Sequence, residues 1–183
     1  MTKHMGLLIG FCGAAGAGKS TAAIHLVRKH GFVRRAFAGP LKDMLRTLLA
    51  CRGATPDEIV FMIDGGGKEK PTHWLNGATP RLALQLLGTE FGRALSPNLW
   101  TSAWRDSLPS GAVVCDDVRF TNEAALIRDL GGVVVRVVRP GLEPSASVGS
   151  HASERGVFDA DAEIVNDDID EFIGRVAALV SAA

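Results

Sequence analysis

Apolar and polar positions divide this chain into two kinds of segment. Leu7–Cys12, Ala112–Cys115 and Val133–Val138 are runs of apolar residues with almost no polar interruption. Such runs read as strands buried on both faces. Phe32–Ala38 alternates loosely and reads as a further strand, and Ala162–Asn166 as a short last one. Between them, apolar residues recur at helical spacing. The first helix runs from about Lys19 to Lys29 and stops at Gly31, a natural residue for a left-handed helix end. Pro40 opens a second, in which Leu41, Met44, Leu45, Leu48 and Leu49 share one face. Thr55-Pro56-Asp57-Glu58 is a capping-box start for a short helix to Ile63. Pro97 begins another helical segment to Leu108. Thr121 is the expected cap of Asn122–Leu130, which Gly131-Gly132 ends, and Asp168 caps Ile169–Val180. Asp64–Pro71 and Arg139 to about Val157 have no periodicity and read as loops. Strands alternating with helices predict a mostly parallel five-stranded sheet in a three-layer α/β/α arrangement, with ligands beyond the carboxyl ends of the strands.

One helix departs from simple amphipathicity. After Thr79-Pro80 a helix runs from Arg81 to about Leu95, and in its core part Arg81, Gln85, Gly88 and Thr89 fall on one narrow stripe while Leu82, Ala83, Leu84, Leu86 and Leu87 cover the rest. A helix of that pattern is expected to be buried, with the stripe facing a polar ligand. The plainer alternative puts Arg81 and Gln85 at a solvent edge.

Composition narrows the class. Of 183 residues, 46% are hydrophobic and 22% charged, as for a globular protein with a real core. Twenty basic and twenty acidic residues cancel, so no overall field points to nucleic acid or to a membrane surface. No apolar run nears the ~20 residues of a membrane span. Cys12, Cys51 and Cys115 are too scattered for a metal site or redox pair, and read as buried thiols of a reducing, cytoplasmic compartment. The basic and apolar N-terminus imitates a secretion signal, but another motif explains the same residues better.

That motif is Gly13-Ala14-Ala15-Gly16-Ala17-Gly18-Lys19-Ser20, followed by Thr21. It is a complete G-x-x-x-x-G-K-[ST] pattern between a predicted strand and a predicted helix, the setting a phosphate-binding loop requires. Small residues let backbone N–H groups close round phosphate oxygens, and the helix N-terminus adds partial positive charge. Lys19 would reach the β- and γ-phosphates of ATP, and Ser20 would ligate Mg²⁺. The loop alone does not choose among switches, motors and kinases. The guanine-reading N-K-x-D and the transporter signature L-S-G-G-Q are absent, and the chain is short for a motor.

Further segments appear in order: Phe37-Ala38-Gly39-Pro40-Leu41-Lys42-Asp43, Leu84-Gln85-Leu86-Leu87-Gly88-Thr89-Glu90, Asp117-Val118-Arg119 with Glu123, Val137-Val138-Arg139-Pro140-Gly141, His151-Ala152-Ser153-Glu154, and Asn166-Asp167. With the phosphate loop, this set resembles the deoxynucleoside monophosphate kinases of tailed bacteriophages over nearly the whole chain. The stretch between Cys51 and Thr79 looks shorter than in the best-known member, Leu82 stands where a basic residue sometimes occurs, and Gly65–Gly67 have no clear counterpart.

The resemblance implies a P-loop NTPase fold of nucleoside monophosphate kinase type. One domain would span 1–183, with a helical acceptor-binding part at 41–109 and a lid at 139–157. ATP and a deoxynucleoside monophosphate would be its partners, with Mg²⁺ as cofactor, for deoxynucleotide supply in the cytoplasm (the host's, if phage-encoded). A homodimer is left open. Lys42 and Arg81 would belong to the monophosphate site, with Leu41, Gln85, Gly88, Thr89, Glu90 and either Lys68 or Lys70. Lys19, Arg81, Arg119 and Asp117 form the expected catalytic set. Asp117 joins Ser20 at the metal, or orders Lys19 or an arginine. Glu123 would meet the sugar 3′-hydroxyl or a base amino group, unless it serves only the helix N-terminus. Trp100 would stack on the base, unless it is core. Arg139 and Arg155 are the expected lid cations toward ATP, with His151 bonded to Glu154. The alternatives are a kinase for an alcohol acceptor of the dephospho-coenzyme A or sugar-acid type, with Asp116 or Asp117 as base, and a non-catalytic nucleotide switch.

Overall fold

The computed structural model describes residues 4–142 and 158–181. Its elements are β1 (Leu8–Cys12), α1 (Lys19–His30), β2 (Val33–Arg34), α2 (Gly39–Cys51), α3 (Pro56–Ile63), α4 (Pro80–Leu86), α5 (Gly92–Leu95) and α6 (Leu99–Asp106). They continue with β3 (Val113–Cys115), α7 (Thr121–Asp129), β4 (Val133–Val138), β5 (Ala162–Val165) and α8 (Ile169–Ser181). Contacts along the chain divide it into two compact units, Met1–Phe37 with Ser107–Ala183, and Ala38–Asp106.

The first unit is the sheet. Its order is β2-β3-β1-β4-β5, and every adjacent pair is parallel. Every residue of β1 is buried, as its unbroken apolar run requires. Alternation then sorts the two faces. Ile9 and Phe11 pack with Ala22, Ala23 and Leu26 of α1 and Phe172 and Val176 of α8. Gly10 faces the other way, where a Cβ would meet Ile127 of α7 at 2.4 Å. Helices thus cover both faces, giving the expected three layers. Gly31 ends α1 in the left-handed region (φ 71°), its N–H donating to the Leu26 carbonyl.

β2 is shorter than the alternation predicts. Arg35 N–H still donates to the Val114 carbonyl, but Phe37 N–H donates to the Asp117 carboxylate, which takes the chain out of the ladder. Thr121 is not the cap of α7. Phe120 precedes the helix, and Glu123 reaches back to its N–H. Of the three thiols, Cys12 and Cys115 are buried as expected, but Cys51, at the end of α2, is exposed.

The second unit is helical. Leu45 and Leu49 of α2 pack with Ala54 and with Ile59, Met62 and Ile63 of α3, and Ala83, Leu84 and Leu87 lie against them. The capping box of α3 forms as its sequence predicts. The helix expected from Arg81 to Leu95 is interrupted by a π-helical turn, Leu87–Phe91, between α4 and α5. Trp100 accounts for the interruption. Its indole N–H donates to the Gly88 carbonyl (3.0 Å), and Gly92 leaves room for the ring, which a Cβ there would meet at 2.1 Å. Nor is this helix buried all round: Leu82 and Leu86 are 46% and 48% exposed. No described helix is long and apolar enough to cross a membrane.

Candidate active site

In the first unit the phosphate loop joins β1 to α1. Gly16 and Gly18 both sit at positive φ (80° and 114°), and a Cβ on Gly18 would come within 2.4 Å of Asn166 Nδ2. Glycine is therefore required at Gly18 on conformation and on space. Asn166 follows β5 and donates from Nδ2 to the Ala17 carbonyl (2.8 Å), tying the loop to the far edge of the sheet.

Lys19 folds back on the loop, donating to the Gly13 and Ala14 carbonyls at 2.7 Å each. Its ammonium pKa is pulled below the ordinary lysine value, chiefly by burial and then by the Arg119 charge, against the opposing pull of Asp116. These contacts hold the ammonium at the loop without placing a carboxylate on it.

Ser20 Oγ donates to Asp116 Oδ2 at 2.6 Å, and Asp116 is buried. Arg34 of β2 donates to both oxygens of the same carboxylate, Nε to Oδ1 (2.8 Å) and Nη2 to Oδ2 (2.6 Å). This pairing raises the Arg34 pKa. Asp117 points elsewhere. Its Oδ1 accepts Phe37 N–H (2.8 Å) and the Cys115 thiol (3.1 Å), and burial beside that carboxylate pushes the Cys115 thiol well up. Asp116 rather than Asp117 is therefore the carboxylate at Ser20, because adjacent residues at a strand end face opposite ways. A hydroxyl beside a buried carboxylate is a hard-oxygen pair of the kind that suits Mg²⁺.

Arg119 is exposed on the turn after β3. Glu123 is buried beneath that turn, its Oε2 accepting the N–H groups of Arg119 (2.7 Å) and Phe120 (3.1 Å). Glu123 thus serves the turn and the helix start, the plainer of its two expected roles. Arg139 is exposed just past β4. Arg155, His151, Glu154 and most of the expected lid lie outside the described residues.

The second unit holds the other expected residues. Lys42 of α2 pairs with Asp64 (2.9 Å). Arg81 pairs with Glu69 (2.6 Å), and its N–H donates to the Lys68 carbonyl. Lys70 lies over the Phe61 ring, 5.4 Å from its centroid. Leu41 lies against Gly88, at 3.8 Å from where a Cβ would be. Gln85 and Glu90 are exposed, and Thr89 turns its hydroxyl back to the Gln85 carbonyl (2.7 Å). The hydroxyl expected to reach a substrate is thus engaged within its own helix. Trp100, 8% exposed with its N–H on Gly88, is a packing residue and offers no free face for a base.

Sequence reasoning missed Arg34 and the pairing of Asp116 with Ser20. The only signal for Asp116 was its place as the first carboxylate after an apolar strand, one it shares with its neighbour.

A parallel sheet with a phosphate loop, and a hydroxyl–carboxylate pair at that loop, define a P-loop nucleotide-binding fold. A solved structure of TT1252 from Thermus thermophilus has the same fold, with 98% of each chain covered, 21% identity and a TM-score of 0.52. No family model matches the chain. A protein of Acanthamoeba polyphaga mimivirus, named by inference a deoxynucleotide monophosphate kinase, is 34% identical over 97% of both chains. The deoxynucleoside-5′-monophosphate kinase of Escherichia phage T5 is 37% identical over 89 residues, 43% of this chain and 35% of that protein. The chain belongs to the deoxynucleotide monophosphate kinase family.

Proposed function

We propose that this protein transfers the γ-phosphoryl group of ATP to a deoxynucleoside 5′-monophosphate, releasing ADP and the deoxynucleoside diphosphate. The observation that carries this is family membership along the whole chain, in a fold whose phosphate loop is complete. An oxygen of the acceptor phosphate attacks the γ-phosphorus, and the bond from that phosphorus to the β–γ bridging oxygen breaks. The second pKa of a phosphate monoester is about 6, so the attacking oxygen is already anionic at neutral pH and no general base is needed. What remains is to hold two anions together and stabilise the transferring group.

On this reading the phosphate loop, with Ser20 and Thr21, cradles the ATP phosphates. Lys19 leaves the Gly13 and Ala14 carbonyls for the β- and γ-phosphate oxygens. Ser20 and Asp116 would hold Mg²⁺, which would supply positive charge against the phosphates of ATP. Arg119, on the turn that Glu123 secures, faces the transferring group, and Arg139 the donor. Lys42 and Arg81 bind the acceptor phosphate, with Gln85 and Lys68 or Lys70 as further contacts. The cytoplasm supplies both substrates.

The test is ADP formation over the common monophosphates in deoxy and ribo forms, with dephospho-coenzyme A and sugar acids as alcohol acceptors. ADP formed with a deoxynucleoside monophosphate supports the proposal. ADP formed only with an alcohol, or ATP binding without acceptor-dependent turnover, overturns it. Lys19→Ala should abolish transfer while the fold persists, a loss of ~3–4 kcal/mol of transition-state stabilisation.

A further inference from the structure

In the second unit one carboxylate holds two cations. Asp64, which ends α3, accepts Lys42 Nζ at Oδ1 (2.9 Å) and Arg46 Nη2 at Oδ2 (2.6 Å). Lys42 and Arg46 are four residues apart on α2, so their side chains lie on one face. Both are partly covered, with side-chain exposures of 24% and 35%. Burial alone would raise the Asp64 pKa, but the hydrogen bonds from Lys42 and Arg46 hold it below the ordinary aspartate value. Asp64 is therefore a carboxylate anion at neutral pH, bridging an ammonium and a guanidinium.

An anion bridged in that way presents oxygens as a phosphate monoester would. Lysine meets it as a point charge and arginine through its planar fork. A scattered surface ion pair would be worth ~0–1 kcal/mol and imply nothing more. Here two pairs converge on one anion, and one of the two cations is Lys42. The same irregular segment also supplies Glu69 to Arg81. Both cations assigned above to the acceptor phosphate are thus held by carboxylates of residues 64–69.

We propose that Arg46 is a second acceptor-phosphate cation beside Lys42, and that Asp64 is the resident counter-anion which the monophosphate displaces. The proposal rests on the acceptor reading of Lys42. In the free protein Asp64 keeps the two cations paired and side by side. An incoming phosphate carries up to twice the charge of the carboxylate and replaces it on both. Asp64 then competes with the acceptor, and the competition is written into the acceptor KM.

The experiment is steady-state transfer with varied deoxynucleoside monophosphate, together with separate titrations of MgATP and of that monophosphate. Wild type is compared with Asp64→Asn, Arg46→Ala, Arg46→Lys and Asp43→Asn. Asp64→Asn should lower the acceptor KM about fivefold, the size of a modest ion pair. Arg46→Ala should raise it at least ~10-fold, and Arg46→Lys should recover part of the loss, since lysine keeps the charge without the fork. Asp43 bonds only to Arg46 among these cations and is 73% exposed, so Asp43→Asn frees one cation and not both, and should lower KM less than Asp64→Asn does. The parent deoxynucleoside, which lacks the phosphate, should bind wild type and Asp64→Asn equally. Unchanged MgATP affinity certifies that each variant is folded. An Asp64→Asn KM equal to or above wild type overturns the proposal. An unchanged KM in Arg46→Ala does so independently. If wild type uses no deoxynucleoside monophosphate at all, the acceptor reading itself has failed and this proposal with it.

Discussion

Two neighbouring aspartates have different work because a strand turns successive side chains to opposite sides. Asp116 receives Ser20 and Arg34, while Asp117 receives the backbone of Phe37. Asp116→Asn removes the charge that would share Mg²⁺ with Ser20. It should cut transfer by ~10²–10³-fold, with the loss seen also as weaker MgATP binding in calorimetry. Asp117→Asn keeps an oxygen for Phe37 N–H and should retain most of the activity. Equal losses in the two variants would show that the two carboxylates are not so divided. Glu123 is argued in the same way. Glu123→Ala leaves two backbone N–H groups without their acceptor and should cost about 1–3 kcal/mol in denaturant unfolding, whereas Glu123→Gln keeps an acceptor oxygen and should recover much of it.

Among elements, the segment from Pro80 to Leu95 departs furthest from its sequence pattern. Helical periodicity there predicts one continuous helix, and most of its residues are the good helix formers leucine, alanine, arginine, glutamine and glutamate. The π turn arises from a contact twelve residues away, the Trp100 N–H on the Gly88 carbonyl. Such turns are frequent at functional sites, and this one interrupts the stripe that holds Arg81 and Gln85. Gly92→Ala would drive a methyl into the Trp100 ring. Its helix propensity would favour it by up to ~1 kcal/mol, but overpacking of ~1–3 kcal/mol should dominate. The variant is expected to unfold at lower denaturant, and equal or greater stability would sink this account of the turn. Shorter elements were easier to read. The α3 capping box and the Gly31 helix end are local, so their residues are adjacent in sequence and need no tertiary partner.

For the molecule as a whole, acid lability follows from carboxylates engaged in hydrogen bonds. Glu58 is held below its ordinary 4.5 by the Thr55 N–H, and Asp167 below 3.8 by Arg175. Asp64 is lowered by Lys42 and Arg46 despite burial. Groups depressed in the folded state contribute stability above their unfolded pKa values and lose it as pH falls through their folded ones. Denaturant stability should therefore decline as pH drops from about 5 toward 2, and Asp64→Asn should flatten part of that decline. An identical acid slope in wild type and Asp64→Asn would refute the contribution of Asp64. At the same scale, the sequence alone determined the layer order. Unbroken apolar strands must be buried on both faces, so a parallel sheet between helices follows, and the glycine spacing before Lys19 marks where phosphate binds. Only the tertiary structure decided which carboxylate meets Ser20, that Trp100 faces inward, that Leu82 and Leu86 remain exposed, and that Arg34 and Arg46 each share an anion with an expected site residue. Those outcomes depend on strand register and on contacts between residues 12 to 96 positions apart, which no local pattern encodes.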